Sequence, residues 1–348
     1  MALARSRPAQ GAAPTPQSLR MARTIDLTLE PTKSMADTLS SAQLTRHQVD
    51  VAIPGLAKDY EGLNRIQDKL QSPATQHRLL LRDSRDLSVI ADSSVHLVVT
   101  SPPYWNLKQY AHLKGQLGIM PNYQAFVSEL AKVWRECYRV LVPGGRLIIV
   151  VGDVCLSRRG HGRHRVVPLH SDIQLRCAEI GFDNLAPIIW YKIAHSSHEV
   201  KNGTKFLGKP YEPNGIIKND IEFILMERKP GGYRTADPAT RLRSVIPLAL
   251  HRTWFRQIWD DVSGRATESH PATFPTGIPD RLIRMFSFVG DTVLDPFAGT
   301  GTTLVAAARA GRNSIGVDVD PAYVNISERR LKKELRTLDV TRTVSVER

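Results

Sequence analysis

Cysteine is scarce in this chain. Its 348 residues hold three, Cys137, Cys155 and Cys177, scattered and odd in number. That argues against a disulfide-stapled framework and against a thiolate metal site, and a reducing cytosol is the simplest compartment. No run approaches the ~18–20 apolar residues that a membrane span needs. The first 19 residues carry Ala, Pro and Gln but lack the apolar stretch of a secretory signal. Acidic residues are also in deficit, 34 Asp and Glu against 47 Lys and Arg, for a net charge of +13. Such an excess suggests a polyanionic partner, although many basic proteins bind no nucleic acid. Apolar residues make up 42% of the chain, enough for one large α/β domain with an insertion, or for two domains.

The chain is organised around Thr100-Ser101-Pro102-Pro103-Tyr104-Trp105. The apolar, β-branched run Ser94 to Val99 before it reads as a buried strand. Two prolines cannot continue that strand, so it stops abruptly and presents a hydroxyl, bare carbonyls and two rings. In open α/β sheets the carboxyl ends of strands are where ligands bind. A lone Pro-Pro-Tyr is more often a proline turn with core aromatics, and a second motif changes that balance. Thr292 to Leu294 reads as a strand ending at Asp295, followed by Pro296-Phe297-Ala298-Gly299-Thr300-Gly301-Thr302 and an Ala-rich helix. Glycines let a ligand approach backbone, and a helix start offers free N–H groups. A further strand, Asn313 to Val317, ends at Asp318, about where nucleotide folds hold a ribose.

Ser-Pro-Pro-Tyr followed by Asp-Pro-Phe-x-Gly-x-Gly-Thr, in that chain order, resembles the amino-methylating DNA methyltransferases. The resemblance covers roughly residues 77 to 332 in several blocks. It implies S-adenosylmethionine as cofactor and double-stranded DNA as substrate. Having the catalytic motif upstream of the cofactor loop is similar to the permuted β group. The serine heading the tetrad resembles the branch that methylates the N4 amine of cytosine. N6-adenine methylation is the runner-up, with an RNA amine methyltransferase or a non-catalytic DNA binder behind it.

The expected fold is therefore a doubly wound, circularly permuted methyltransferase sheet with an inserted target-recognition region. Residues 1–75 read as an extension, disordered to about 40 and then short helices. Residues 76–230 read as the catalytic half, 231–269 as target recognition, 270–338 as the cofactor half and 339–348 as a frayed tail. A helix-like stretch is expected over Arg85–Ile90, and Ala186–Ile193 should pair with Ile221–Met226 as the sheet's terminal hairpin. The spacing from Tyr123 to Leu141 gives an amphipathic helix with Trp134 in the core.

In the family's arrangement Asp83, Asp318, Asp295 and Ser101 would end consecutive strands and meet on one edge. The resemblance places Asp83 beside the cofactor's adenine and makes Thr273, Phe274 and Pro275 a wall of its methionine pocket. Phe297, Gly299, Thr300, Gly301 and Thr302 form the cofactor loop. Ser101 Oγ and the Pro102 carbonyl would accept the two amine hydrogens, Pro103 would fix the backbone, and Tyr104 would stack on a flipped base. Trp105 either lines that pocket or braces the loop. Arg158, Arg159, Arg163 and Arg165, interleaved with glycines, suit DNA phosphates. Arg241, Arg243 and Arg252, among the aromatics of 231–269, suit base reading. No metal is expected, since methyl transfer from a sulfonium needs none. The protein is expected to be cytoplasmic and nucleoid-associated, a monomer or homodimer without membrane contact, with a separate restriction endonuclease as a possible partner.

Overall fold

A computed structural model describes residues 45–70, 73–105, 110–192, 210, 219–262, 275–338 and 342–347. The expectation of disorder before residue 40 lies outside these residues. Two helices open the described chain, α1 (Arg46–Leu56) and α2 (Tyr60–Lys69). Thr45 and Gln48 close a capping box on α1, and Asp59 caps α2 through the Gly62 amide.

Strands β1 (Thr75–Leu81) and β2 (Val95–Thr100) follow. The helix expected over Arg85–Ile90 is absent, and turns replace it. Carboxylates take the amides that a helix would use: Asp83 accepts from Arg85 N–H, Glu136 from Leu87 N–H and Asp86 from Ser88 N–H. Side chains that bond nearby backbone compete with helix in this way. Helix α3 (Tyr123–Val140) buries Phe126, Leu130, Val133, Trp134 and Cys137, the stripe read from the spacing. It runs straight into β3 (Leu141–Val151). A hairpin of β4 (Val154–Leu156) and β5 (Arg165–Val167) encloses a single helical turn, α4 (Arg158–His161). Then come α5 (Leu169–Ile180), β6 (Asp183–Tyr191) and β7 (Ile221–Arg228). The remainder is α6 (Pro238–Arg243), α7 (Leu248–Trp254), β8 (Ile258–Trp259), α8 (Gly277–Phe286) and β9 (Thr292–Asp295). It ends with α9 (Thr302–Arg309), β10 (Asn313–Asp318), α10 (Pro321–Leu335) and β11 (Arg342–Glu347).

Nine strands form one sheet in the order β11-β1-β10-β9-β2-β3-β7-β6-β8. Pairing is parallel except where β7 runs against β3 and β6. Alternation along β3 sends Leu147, Ile149 and Val151 to the α3 and α5 face, and Ile148 and Val150 to the α8 and α9 face. Both faces are covered, which makes the fold doubly wound. Strands β2 and β9, nearly two hundred residues apart in the chain, are direct neighbours in register Val98↔Leu294.

Two further expectations change. The β6–β7 hairpin forms, but β8 pairs beyond β6 through Ile189↔Ile258 and Trp190↔Trp259, so the hairpin is not terminal. Residues 342–347 of the expected tail do not fray: β11 pairs with β1, and Val344 and Val346 pack against the Leu79 cluster on alternate positions. Residues 231–269, expected as the target-recognition region, are tied to the rest of the chain as follows. Arg234 pairs with Asp291 and Ser244 Oγ accepts the Val289 amide, and both partners precede β9. This stretch therefore starts at the amino edge of the parallel strands, away from Ser101. Arg241 pairs with Asp50 of α1, and Arg243 Nε donates to the Leu70 carbonyl at 2.6 Å. Leu242 between them is buried with Val49, Leu56 and Ile66. Two amphipathic helices need an apolar partner, and α6 supplies it, with its arginines fastening the contact. Arg252 is exposed on α7, whose first amide bonds the Ala57 carbonyl. Trp254 and Trp259 are both core, with the Trp259 indole donating to the Trp254 carbonyl at 2.9 Å.

Candidate active site

Four neighbouring strands, β1, β10, β9 and β2, deliver their carboxyl ends to one edge. Leu81 lies opposite Asp318, and Gly316 opposite Asp295. An open cleft runs along these ends. Asp83, Ser101, Pro103, Asp295, Phe297 and Asp318 line it, with Gly299, Thr300 and Thr302 of the glycine loop. Pro102 is buried behind the cleft, and Tyr104, Gly301 and Pro275 do not line it. Thr273 and Phe274 lie outside the described residues.

The loop after β9 is fixed by its own acids. Asp295 is 2% exposed and accepts from Thr100 Oγ1 at 2.7 Å and the Phe297 amide at 3.0 Å. Burial pushes its carboxyl up to about 6, against these donors. Asp318 accepts the Gly299 and Asp320 amides, each at 2.8 Å, and burial likewise pushes it up to about 6. Gly301 starts α9 at φ +80, where a Cβ would lie 2.1 Å from Ser327 Oγ, so no other residue fits. Arg330 clamps the Thr300 carbonyl and hydroxyl, both at 2.7 Å. Asp83 sits at the far end. Burial alone would raise its carboxyl, but the Arg85 side chain and amide outweigh it and hold it below the usual carboxylate range. Arg85 also pairs with Glu129 of α3, which fixes its direction.

The other wall of the cleft includes Tyr110 and Gly115 to Leu117. Gly115 has φ +90, and a Cβ there would lie 2.8 Å from the Asp83 carboxylate and 3.2 Å from Val319. Gly115→Val is expected to push this wall out and weaken ligand binding in the cleft about tenfold or more, read by calorimetry. Unchanged affinity would show that the wall is not part of the binding surface.

At the β2 end, the Tyr104 hydroxyl lies 3.1 Å from Glu222 Oε2, 3.4 Å from the Val150 carbonyl and 3.5 Å from Ser101 Oγ. Glu222 is 6% exposed and pairs with Lys192 through its other oxygen. Trp105 braces the loop: its indole donates to the Met120 carbonyl at 2.7 Å and meets Tyr123 edge-on at 5.3 Å. Trp134 is fully buried, edge-on to Phe297. Beyond β3, on the same edge of the sheet, the β4–β5 hairpin carries exposed Arg158, Arg159, Arg163 and Arg165.

Sequence reasoning puts the loop that carries Tyr110 and Gly115 near the base pocket, but gives no role to Glu222, to Arg330 or to Tyr323, which stands beside Tyr110 and Asp318. One signal was available for Glu222, an acid inside the apolar run Ile221 to Met226. Among the described residues no group of three or more metal-ligating side chains occurs, and no helix is long and apolar enough to cross a membrane.

Comparison with known proteins agrees with this layout. A family model for DNA methylases matches residues 95–329. Type II methyltransferase M.MjaI of Methanocaldococcus jannaschii is 38% identical over 286 residues, covering 74% of this chain and 91% of that protein. M.MthZI of Methanothermobacter thermautotrophicus is 33% identical, covering 75% and 78%. A Thermus thermophilus protein described as a DNA modification methylase, solved with S-adenosyl-L-methionine, is 50% identical. That match covers 78% of this chain and all of the other, with a TM-score of 0.63. The cytosine-N4-specific PvuII DNA methyltransferase shares the fold at 21% identity and a TM-score of 0.52.

Proposed function

The chain belongs to the DNA methylase family, in its permuted β group, and from that premise we propose that it moves a methyl group from S-adenosylmethionine to the N4 amine of a cytosine in duplex DNA. The cleft suits this cofactor. It offers carboxylates at Asp83, Asp295 and Asp318 and backbone of the glycine loop, while no Lys or Arg is among its described lining residues. Three carboxylates without a cation disfavour a ligand carrying several phosphate charges, and they suit one with a bare ribose and a cationic sulfonium. Asp318 would accept from the ribose hydroxyls, Asp83 from the adenine amine, and Asp295 would answer the positive end of the ligand. Residues 76–230 and 270–338 then act as two halves of one domain.

When bound, the cofactor supplies a methyl group already activated by its sulfonium. The chain's own task is orientation. A cytosine amine is a poor nucleophile because its lone pair is delocalised into the ring. Ser101 Oγ and the Pro102 carbonyl accept its two hydrogens, favour a pyramidal nitrogen and aim the lone pair at the cofactor. Two successive prolines fix the carbonyl direction. The base reaches this point only when flipped from the duplex, and Tyr104, whose hydroxyl lies 3.5 Å from Ser101 Oγ, is the ring that would stack on it. Ser101 at the cleft, beside the Asp295 loop, is the observation that carries the reading.

The test is transfer of labelled methyl from S-adenosylmethionine to unmethylated genomic DNA, with nucleoside analysis of the digest. Label in N4-methylcytosine is expected. Label in N6-methyladenine would keep the mechanism and overturn the base, and label in RNA alone would overturn the substrate.

The basic hairpin lies on the catalytic side and is the better candidate for phosphate contact than Arg241 and Arg243. Replacing Arg159, Arg163 and Arg165 together with alanine should weaken DNA binding and flatten its salt dependence by about 2–3 units of slope. Fluorescence titrations at several salt concentrations read this. An unchanged slope would place the DNA elsewhere.

A further inference from the structure

Glu222 is a buried acid that the mechanism above does not use. It stands near the start of β7 at the carboxyl edge, opposite Trp190 of β6. Its Oε1 takes the Lys192 ammonium and its Oε2 takes the Tyr104 hydroxyl at 3.1 Å. The other close acceptor of that hydroxyl is the Val150 carbonyl at 3.4 Å. Both neighbours accept and neither donates, so the single Tyr104 proton is committed away from Ser101. What Tyr104 offers Ser101, 3.5 Å away, is lone pairs. The Ser101 proton therefore turns toward Tyr104. That separation is long for a hydroxyl pair, as catalytic hydrogen bonds often are before substrate binds.

We propose that Glu222 is a positioning residue: acting through Tyr104, it sets the direction of the hydrogen-bond chain so that Ser101 Oγ presents lone pairs, not its proton, to the substrate amine. The inference rests on the assignment of Ser101 as an amine acceptor. A serine able to turn its proton into the cleft would meet an N–H with an O–H, and the lone pair of the amine would lose its aim. Lys192 completes the device. It holds one oxygen of Glu222 and so leaves the other to Tyr104. In Glu222→Gln the same lysine selects the amide oxygen and turns the NH2 toward Tyr104, which reverses the bond that sets the direction.

The experiment is a double-mutant cycle on single-turnover methyl transfer, with Glu222→Gln, Tyr104→Phe and both together. Melting temperature and S-adenosylmethionine affinity are measured on every variant. Each single change is expected to slow transfer about tenfold, less than loss of a direct acceptor, with the KM for DNA and cofactor affinity unchanged. The pair is expected to be no slower than the slower single variant, because both cut one chain. Wild-type rates in Glu222→Gln, or effects that multiply, would overturn the inference. If Glu222→Gln does not fold, Tyr104→Phe decides: a wild-type rate overturns the chain and a tenfold loss at constant KM supports it. Wild-type protein that methylates no nucleic acid would overturn the functional reading and this inference with it. Wild-type transfer with an unaffected Glu222→Gln overturns this inference alone.

Discussion

Ser101→Ala is expected to slow methyl transfer by about 10²–10³-fold, the usual loss when one preorganised partner of a developing charge is removed. The same variant should bind S-adenosylmethionine within about twofold of wild type, since in the proposed mechanism the side chain meets the base and not the ribose or sulfonium. The geometry explains the split. Thr100, one residue earlier, anchors Asp295 and is fully buried, whereas Ser101 is the first residue of the strand end to reach the cleft. Its backbone is held by β2, paired on both sides with β9 and β3, so removing the hydroxyl leaves the frame intact. Single-turnover rates with saturating DNA, alongside calorimetric titration of cofactor, check both halves. A matching loss in cofactor affinity would mean that Ser101 belongs to the cofactor site, and an unchanged rate would remove it from the chemistry.

Why the strand ends were legible and much else was not follows from the range of each interaction. Asp83, Asp318, Asp295 and Ser101 each close a short apolar run, a local pattern, and the family resemblance supplied the spatial order that the sheet then takes. Trp134 was legible because helical spacing alone puts it inward. Arg85–Ile90 failed because three carboxylates, one of them forty-nine residues away on α3, capture its amides. The contacts of Arg241 and Arg243 were hidden for a similar reason. Arginines among aromatics look alike whether they face DNA or a neighbouring helix, and Asp50 and the Leu70 carbonyl are invisible from residue 240. Strand β11 was readable in principle: Thr343-Val344-Ser345-Val346 alternates with period two. Its partner β1 lies more than 260 residues upstream, so position in the chain misled where pattern did not.

Glu227→Gln should raise stability at pH 8, and the difference from wild type should grow with pH. Glu227 lies on β7 between Leu147 and Asn184, is fully buried, and neither carboxylate oxygen is hydrogen-bonded among the described residues. Burial pushes its carboxyl from 4.5 up to about 8, and the nearby Gln174 opposes this only in part. The folded chain therefore keeps a proton that the unfolded chain releases. Below about pH 4.5 both states are protonated and nothing is lost. Between about 4.5 and 8 the unfolded state binds fewer protons, so wild-type stability falls as pH rises, and above 8 the loss is complete. At about 1.4 kcal/mol per pH unit the ceiling is about 5 kcal/mol, and relaxation and water entry should reduce it to about 2–3 kcal/mol. The glutamine has its own cost of about 1 kcal/mol for burying an amide. The variant should then be slightly less stable than wild type near pH 5 and more stable by about 1–2 kcal/mol at pH 8. Urea unfolding of both proteins at pH 5, 6.5 and 8 measures the difference. A difference that stays constant across that range would mean Glu227 is ionised in the folded protein, with a partner for its charge.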